Sequence, residues 1–208
     1  MRIGMYGGAF NPIHNGHLHI VREYIRRLEL DRVLLIPTGT SPHKAAVPDA
    51  ASAEDRLAMC RLACAGEEKI LVSDCEIRRQ GKSYTVDTIA WLKEQYPGDE
   101  LFLLMGEDMF LTVDKWFDAP RIIQNAVLCG APRSTDGRAR MMAHAEEIRA
   151  AHPYARTQIA DISFMDVSST MVREARHRGE DVSALVPAGV AAYMEEHGLF
   201  CGGNHETE

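Results

Sequence analysis

What most constrains this chain is a rhythm: short apolar runs alternate with amphipathic stretches from one end to the other. "RIGMY" (2–6), "RVLLIP" (32–37), "KILVSDCEI" (69–77), "ELFLLMG" (100–106), "AVLCGAP" (126–132) and "TQIADISFM" (157–165) read as six strands. Their apolar residues run on rather than alternate, as in strands covered on both faces. Helical patterns lie between them. Leu18, Val21, Ile25 and Leu28 fall at helical spacing, and Ser52 with Asp55 forms a capping pair ahead of "RLAMCRLAC". Ser83 or Thr85 caps "VDTIAWLKEQY", "APRIIQN" reads as a short helix, and a charged helix covers 136–151. "SSTMVREARHRG" (168–179) stops at Gly179, and the last helix starts at Pro187 and ends at Gly198. This alternation predicts an α/β fold: a single Rossmann-like, doubly wound domain with a mostly parallel sheet, helices on both faces and a small C-terminal helical portion. The domain is expected over 1–200, with 201–208 as a loose tail.

Composition narrows the partners. Across 208 residues the formal net charge is −7, which argues against a nucleic-acid binder, since neutralising phosphates needs a basic face. No stretch of 18 uncharged apolar residues occurs, and "MRIGMYGGAF" is no signal peptide, so no membrane partner is expected. The cysteines at 60, 64, 75, 129 and 201 are odd in number and lack C-x-x-C spacing. They read as small buried hydrophobes in a reducing, cytoplasmic compartment.

In a doubly wound fold the ligand sits beyond the carboxyl ends of the strands, and three sequence features fall there. After the first strand comes "GGAFNPIHNGH", with Gly7, Gly8, Ala9 and Phe10 ahead of His14 and His17. The glycines let the backbone approach a bulky anion, the following helix presents its N–H groups, and the two histidines can donate to phosphate oxygens. A metal cluster and a turn with incidental histidines are the alternatives from the segment alone. His19 lies two residues beyond His17 and is given no role. After the sixth strand, "SSTMVR" places Ser168 and Ser169 as N-caps, with Arg173 one turn later to fork onto phosphate. The third feature is a group of loops: "PTGTSPHK" (37–44) with His43 and Lys44, "GKSYTVDTI" (81–89) with Tyr84 and Thr85, and "MGEDMFLTVDKWFD" (105–118).

"GGAFNPIHNGH" resembles the H-x-G-H signature of the nucleotidyltransferase superfamily related to class I aminoacyl-tRNA synthetases, and "SSTMVR" resembles its S-S-T-x-x-R motif. The three loops, in order and spacing, are similar to the P-H-K, S-Y-T-V-D-T and G-x-D…W segments of bacterial nicotinate mononucleotide adenylyltransferases, and "VAAYMEEHGLF" to their closing helix. The resemblance implies transfer of AMP from ATP to nicotinate mononucleotide, with Mg²⁺ carried mainly by the triphosphate and no dedicated protein metal site. By the same resemblance His14, His17, Lys44 and Arg173 are the catalytic groups. Gly7, Gly8, Ala9, Phe10, Gly106, Asp108, Ser168, Ser169 and Thr170 join His14, His17 and Arg173 around ATP. His43 and Lys44 neutralise phosphate charge near the reacting groups. Trp116 stacks on the nicotinate ring, Thr85 with the Phe117 backbone holds its carboxylate, and Tyr84 joins them in binding this substrate.

Three positions depart from the family pattern. Ala9 and Asn11 stand where Thr or Ser and Asp are frequent, and Glu107 puts a carboxylate beside a site for polyanions. It repels substrate there unless it points away or helps hold a metal. Adenylyltransferases for nicotinamide mononucleotide or phosphopantetheine, a cytidylyltransferase, and a regulator that has lost catalysis are the rival readings; the sequence leaves a homodimer open.

Overall fold

The protein is described by a computed structural model covering residues 1–40, 50–79 and 81–202. Six strands form one sheet: β1 (Arg2–Gly8), β2 (Arg32–Pro37), β3 (Ile70–Val72), β4 (Glu100–Gly106), β5 (Val127–Ala131) and β6 (Thr157–Ile159). Every neighbouring pair is parallel, in the order β3-β2-β1-β4-β5-β6. The order reverses direction between β1 and β4, the switch point of a doubly wound sheet.

Side chains alternate across the sheet and build two cores. Val33, Leu35, Phe102, Leu104, Val127 and Cys129 face one side, where they pack with α1 (Asn15–Arg27), α2 (Ala53–Ala63), α8 (Ser169–His177) and α9 (Ala188–Glu196). Ile3, Met5, Leu34, Ile36, Leu101, Leu103 and Leu128 face the other side. They meet α4 (Thr85–Gln95), α5 (Glu107–Phe110), α6 (Ala119–Asn125) and α7 (Thr135–Ala151). Both faces are covered, which is why the strands read as continuous apolar runs.

The elements depart from the sequence reading in five places. The third strand stops at Val72, and Cys75–Arg78 forms a helical turn, α3, because Glu76 buries its carboxylate against Thr88 (Thr88 Oγ1 donates to Glu76 Oε1, 2.8 Å). The sixth ends at Ile159, where the Ile162 N–H turns back to the Ala160 carbonyl (3.0 Å). Tyr84, not Ser83 or Thr85, is the N-cap of α4, with no side-chain cap bond. The helical turns Glu107–Phe110 and Val113–Lys115 carry too few residues to show a period. Finally, Cys60, Cys64 and Cys129 are buried as expected and Cys75 is half-buried, but Cys201 is exposed; all five are free thiols. Ser52 does cap α2, accepting from the Asp55 N–H at 3.0 Å. No helix among the described residues is long and apolar enough to cross a membrane.

Candidate active site

The site begins where the central ladder ends. β1 and β4 pair only as far as Met5 opposite Leu103, yet β1 follows β2 to Gly8 and β4 follows β5 to Gly106. The two strands therefore part and leave a crevice between their last residues. Tyr24 of α1 fills its floor, its hydroxyl donating to the Met105 carbonyl at 2.7 Å. A side chain at Gly106 would meet nothing within 4 Å, and one at Gly7 would meet only the Ile36 carbonyl at 4.0 Å, so both borders are open to a ligand. Gly8 serves its own chain instead: a Cβ there would stand 3.1 Å from the Phe10 ring. Phe10 is buried with a left-handed backbone (φ 47°), so its side chain packs beneath the loop.

The loop from Ala9 to Asn15 is bonded along its length to distant segments. Arg56 Nη1 donates to the Ala9 carbonyl (2.7 Å), Arg173 Nη1 to the Asn11 carbonyl (2.7 Å), and Ser169 Oγ to the Pro12 carbonyl (2.8 Å). The Ala51 N–H donates to Asn11 Oδ1 (3.0 Å), and the Asn15 N–H to the Leu185 carbonyl (2.9 Å). Asn11 thus has a structural task, since its amide oxygen accepts where an aspartate would. The glycine-rich segment and the S-S-T-x-x-R segment, more than 150 positions apart in sequence, are one bonded unit.

His14 is the N-cap of α1 and His17 its third residue, and their rings stack with centroids 3.6 Å apart. The His14 N–H donates to His17 Nδ1 (3.2 Å), which places the proton of a neutral His17 on Nε2. Burial pushes the His14 imidazole down to about 4, so it is neutral at physiological pH. Two stacked rings cannot both be cations cheaply, and the neutral His14 accords with the stack. Gly16 makes the stack possible, because a Cβ there would crowd His14 Nδ1 (3.1 Å). His19 is directed elsewhere, its Nε2 lying 2.7 Å from the Ser163 carbonyl.

At α8, Ser168 Oγ accepts from the Met171 N–H (3.2 Å), and Arg173 Nη2 donates to Thr170 Oγ1 (3.2 Å). Across the crevice, Thr85 opens α4, and the Tyr84 and Phe117 rings lie 4.6 Å apart, with Phe117 60% exposed. Trp116 is half-buried and donates Nε1–H to Thr112 Oγ1 (3.4 Å). The Ser83 N–H donates to the Thr40 carbonyl (2.9 Å), tying this side to the loop after β2. His43 and Lys44 lie outside the described residues.

Glu107 is settled by its partners. Its buried carboxylate accepts the Arg133 N–H (2.9 Å), pairs with Arg140 and lies against Gly137 in the first turn of α7. Asp108 is exposed and paired with Arg133 (3.4 Å). No three His, Cys, Asp or Glu side chains converge among the described residues.

Two further cations escaped sequence reading. Arg133 follows the carboxyl end of β5, where ligands sit in this fold, and that position is the signal it gave. Arg56 falls on the buried stripe of α2 with Cys60 and Ala63, a place where an apolar residue is expected.

A family model described as cytidylyltransferase-like matches residues 5–175. A Neisseria meningitidis serogroup B protein named "Probable nicotinate-nucleotide adenylyltransferase" is 37% identical over 206 residues, covering 96% of this chain and 98% of its own. The chain belongs to the nicotinate-nucleotide adenylyltransferase family. A relative of the same name from Geobacter sulfurreducens is 38% identical over 214 residues, again covering 96% of this chain and 98% of its own. The family likeness therefore spans nearly the whole length rather than one motif. In fold, the chain matches the Plasmodium falciparum nicotinic acid mononucleotide adenylyltransferase complexed with NaAD at a TM-score of 0.75 and 16% identity, covering 96% and 97% of the two chains.

Proposed function

We propose that this protein transfers AMP from ATP to nicotinate mononucleotide, giving nicotinate adenine dinucleotide and pyrophosphate. The observation that carries the reading is the bonding of both phosphate motifs into one loop-and-helix unit beside the crevice, through Ser169 to Pro12 and Arg173 to Asn11. An aromatic acceptor side flanks it at Tyr84, Trp116 and Phe117.

A phosphate oxygen of the mononucleotide attacks the α-phosphorus of ATP; the bond to the β-phosphate oxygen breaks, and its electron pair leaves on pyrophosphate. The attacking oxygen is already an anion, so no general base is needed. The protein's part is in-line alignment and stabilisation of the leaving charge. His17 Nε2–H and His14 donate to the triphosphate, helped by the N-termini of α1 and α8. Gly7 and Gly106 let it settle between the strand ends, with Gly8, Ala9 and Phe10 contributing loop backbone. Ser168, Ser169, Thr170 and Arg173 grip the phosphates from α8, Asp108 takes ribose hydroxyls, and His43 and Lys44 neutralise phosphate charge near the reacting groups. Trp116 stacks on the pyridine ring, Tyr84 lines the same side against the Phe117 ring, and Thr85 with the Phe117 backbone N–H holds the carboxylate. Mg²⁺, brought in with ATP and given no dedicated protein ligand, would supply further neutralisation of the leaving group.

The working unit is residues 1–200 in the cytoplasm, where five free thiols are stable. All proposed groups come from one chain, so the reading holds for a monomer and a homodimer alike. The test is pyrophosphate release from ATP and Mg²⁺ with nicotinate mononucleotide, nicotinamide mononucleotide or phosphopantetheine. Release with the first, at a kcat/KM well above the others, is expected; release only with another acceptor overturns the choice of substrate.

A further inference from the structure

Arg56 is 8% exposed, on the fourth position of α2, and its guanidinium spans two loops. Nη1 donates to the Ala9 carbonyl in the loop after β1 (2.7 Å), and Nη2 reaches the Gly39 carbonyl in the loop after β2 (3.3 Å). Among the described residues no carboxylate forms an ion pair with it. A buried cation is costly unless bonded, and a hydrophobic side chain would fill this position of α2 without that cost. A second brace fixes the same corner: the Ala51 N–H donates to Asn11 Oδ1 (3.0 Å). Gly39 has no freedom on its other side, where a Cβ would meet the Glu76 carbonyl at 2.5 Å. Gly39 is held between α2 and α3, and Ala9 is locked to it through one planar fork.

We propose that Arg56 is a positioning residue that fixes the loop carrying the ATP-binding histidines relative to Gly39 and Thr40 just beyond the end of β2. This rests on the function given above, in which the first loop holds ATP, while the Ser83 N–H bonded to the Thr40 carbonyl (2.9 Å) ties the second to the acceptor side at Tyr84 and Thr85. Each substrate keeps its own contacts when the fork is lost, but the attacking oxygen and the α-phosphorus no longer share one rigid frame. A misplacement near 1 Å costs about 10²-fold in rate. The loss therefore appears in kcat, not in KM. Lysine cannot replace the guanidinium, since one ammonium on a flexible stem does not bridge two carbonyls in a fixed plane.

The test measures kcat, both KM values and thermal unfolding for the wild type, Arg56→Ala and Arg56→Lys, with methylguanidinium or methylammonium added at equal, non-denaturing ionic strength. Expected are a kcat fall of about 30-fold or more in folded Arg56→Ala, KM values within about threefold, and partial recovery with methylguanidinium but not methylammonium. Arg56→Lys stays impaired by about tenfold and decides the question if the alanine variant does not fold. Arg56→Lys with wild-type kcat, or losses that track only the folded fraction and resist methylguanidinium, overturn the role of Arg56. A wild-type chain that releases no pyrophosphate with any acceptor overturns the underlying function instead.

Discussion

Replacing Gly16 with alanine separates packing from chemistry. Gly16 is the second residue of α1, and an alanine Cβ would lie 3.1 Å from His14 Nδ1, 3.2 Å from His14 Cε1 and 3.3 Å from the Val167 carbonyl. Carbon contacts are comfortable from about 3.5 Å outward, so the His14 ring must retreat by a few tenths of an ångström. The backbone is helical, and alanine gains about 1 kcal/mol over glycine there, which offsets a crowding cost of about 1–3 kcal/mol. A chain this size shifts Tm by about 2–4 °C per kcal/mol, so Tm should fall by no more than about 8 °C. The ring proposed to donate to the triphosphate has moved, however. Scaled from about 10²-fold per ångström, kcat should drop roughly 3- to 10-fold, while KM for nicotinate mononucleotide stays put. Pyrophosphate release and a thermal melt on the same preparation decide it. A folded variant with full kcat refutes the link between the glycine gap and the His14 position, and a Tm loss beyond about 15 °C refutes the balance of packing against propensity.

Three other outcomes follow from the same geometry. His17→Ala should leave the fold intact and lower kcat by roughly 10²-fold or more, on the order of 3 kcal/mol, by removing the N–H proposed to donate to the leaving charge; steady-state kinetics on the folded variant check this. His14 is held neutral down to about 4 while an unfolded imidazole protonates near 6.5, so its contribution is complete above pH 6.5, is lost as pH falls toward 4, and changes no further below. The loss is at most ~3 kcal/mol across that window, readable as a falling urea midpoint, and an NMR titration placing His14 at or above 6.5 contradicts it. Glu107→Ala leaves the Arg133 N–H without its acceptor and should cost about 1–3 kcal/mol in a thermal melt, with little change in KM.

Much of this architecture was legible because strands covered on both faces must be apolar throughout, and β1, β2, β4 and β5 are long enough to show it. β3 and β6 were overread: each is an edge strand of three residues, and the apolar residues beyond it serve other ends. Ile162 enters the core from a turn, and Phe164 stays 44% exposed with Arg133 over its ring. In the site, residues next to glycine or at a helix start announced themselves through local chemistry. Arg56 and the partners of Glu107 did not, because their roles depend on carbonyls and a backbone N–H contributed by distant segments. Asn11 and Glu107, the awkward positions in sequence, are explained by such distant partners; for Ala9 only the carbonyl is engaged, by Arg56.

The most direct test of the central claim follows the α-phosphorus. With ATP labelled at the α-phosphate, Mg²⁺ and nicotinate mononucleotide in a single turnover, the label should appear in the dinucleotide and the pyrophosphate should be unlabelled. Labelled ATP that stays intact, or cleavage that leaves the label in free AMP without dinucleotide, would contradict it.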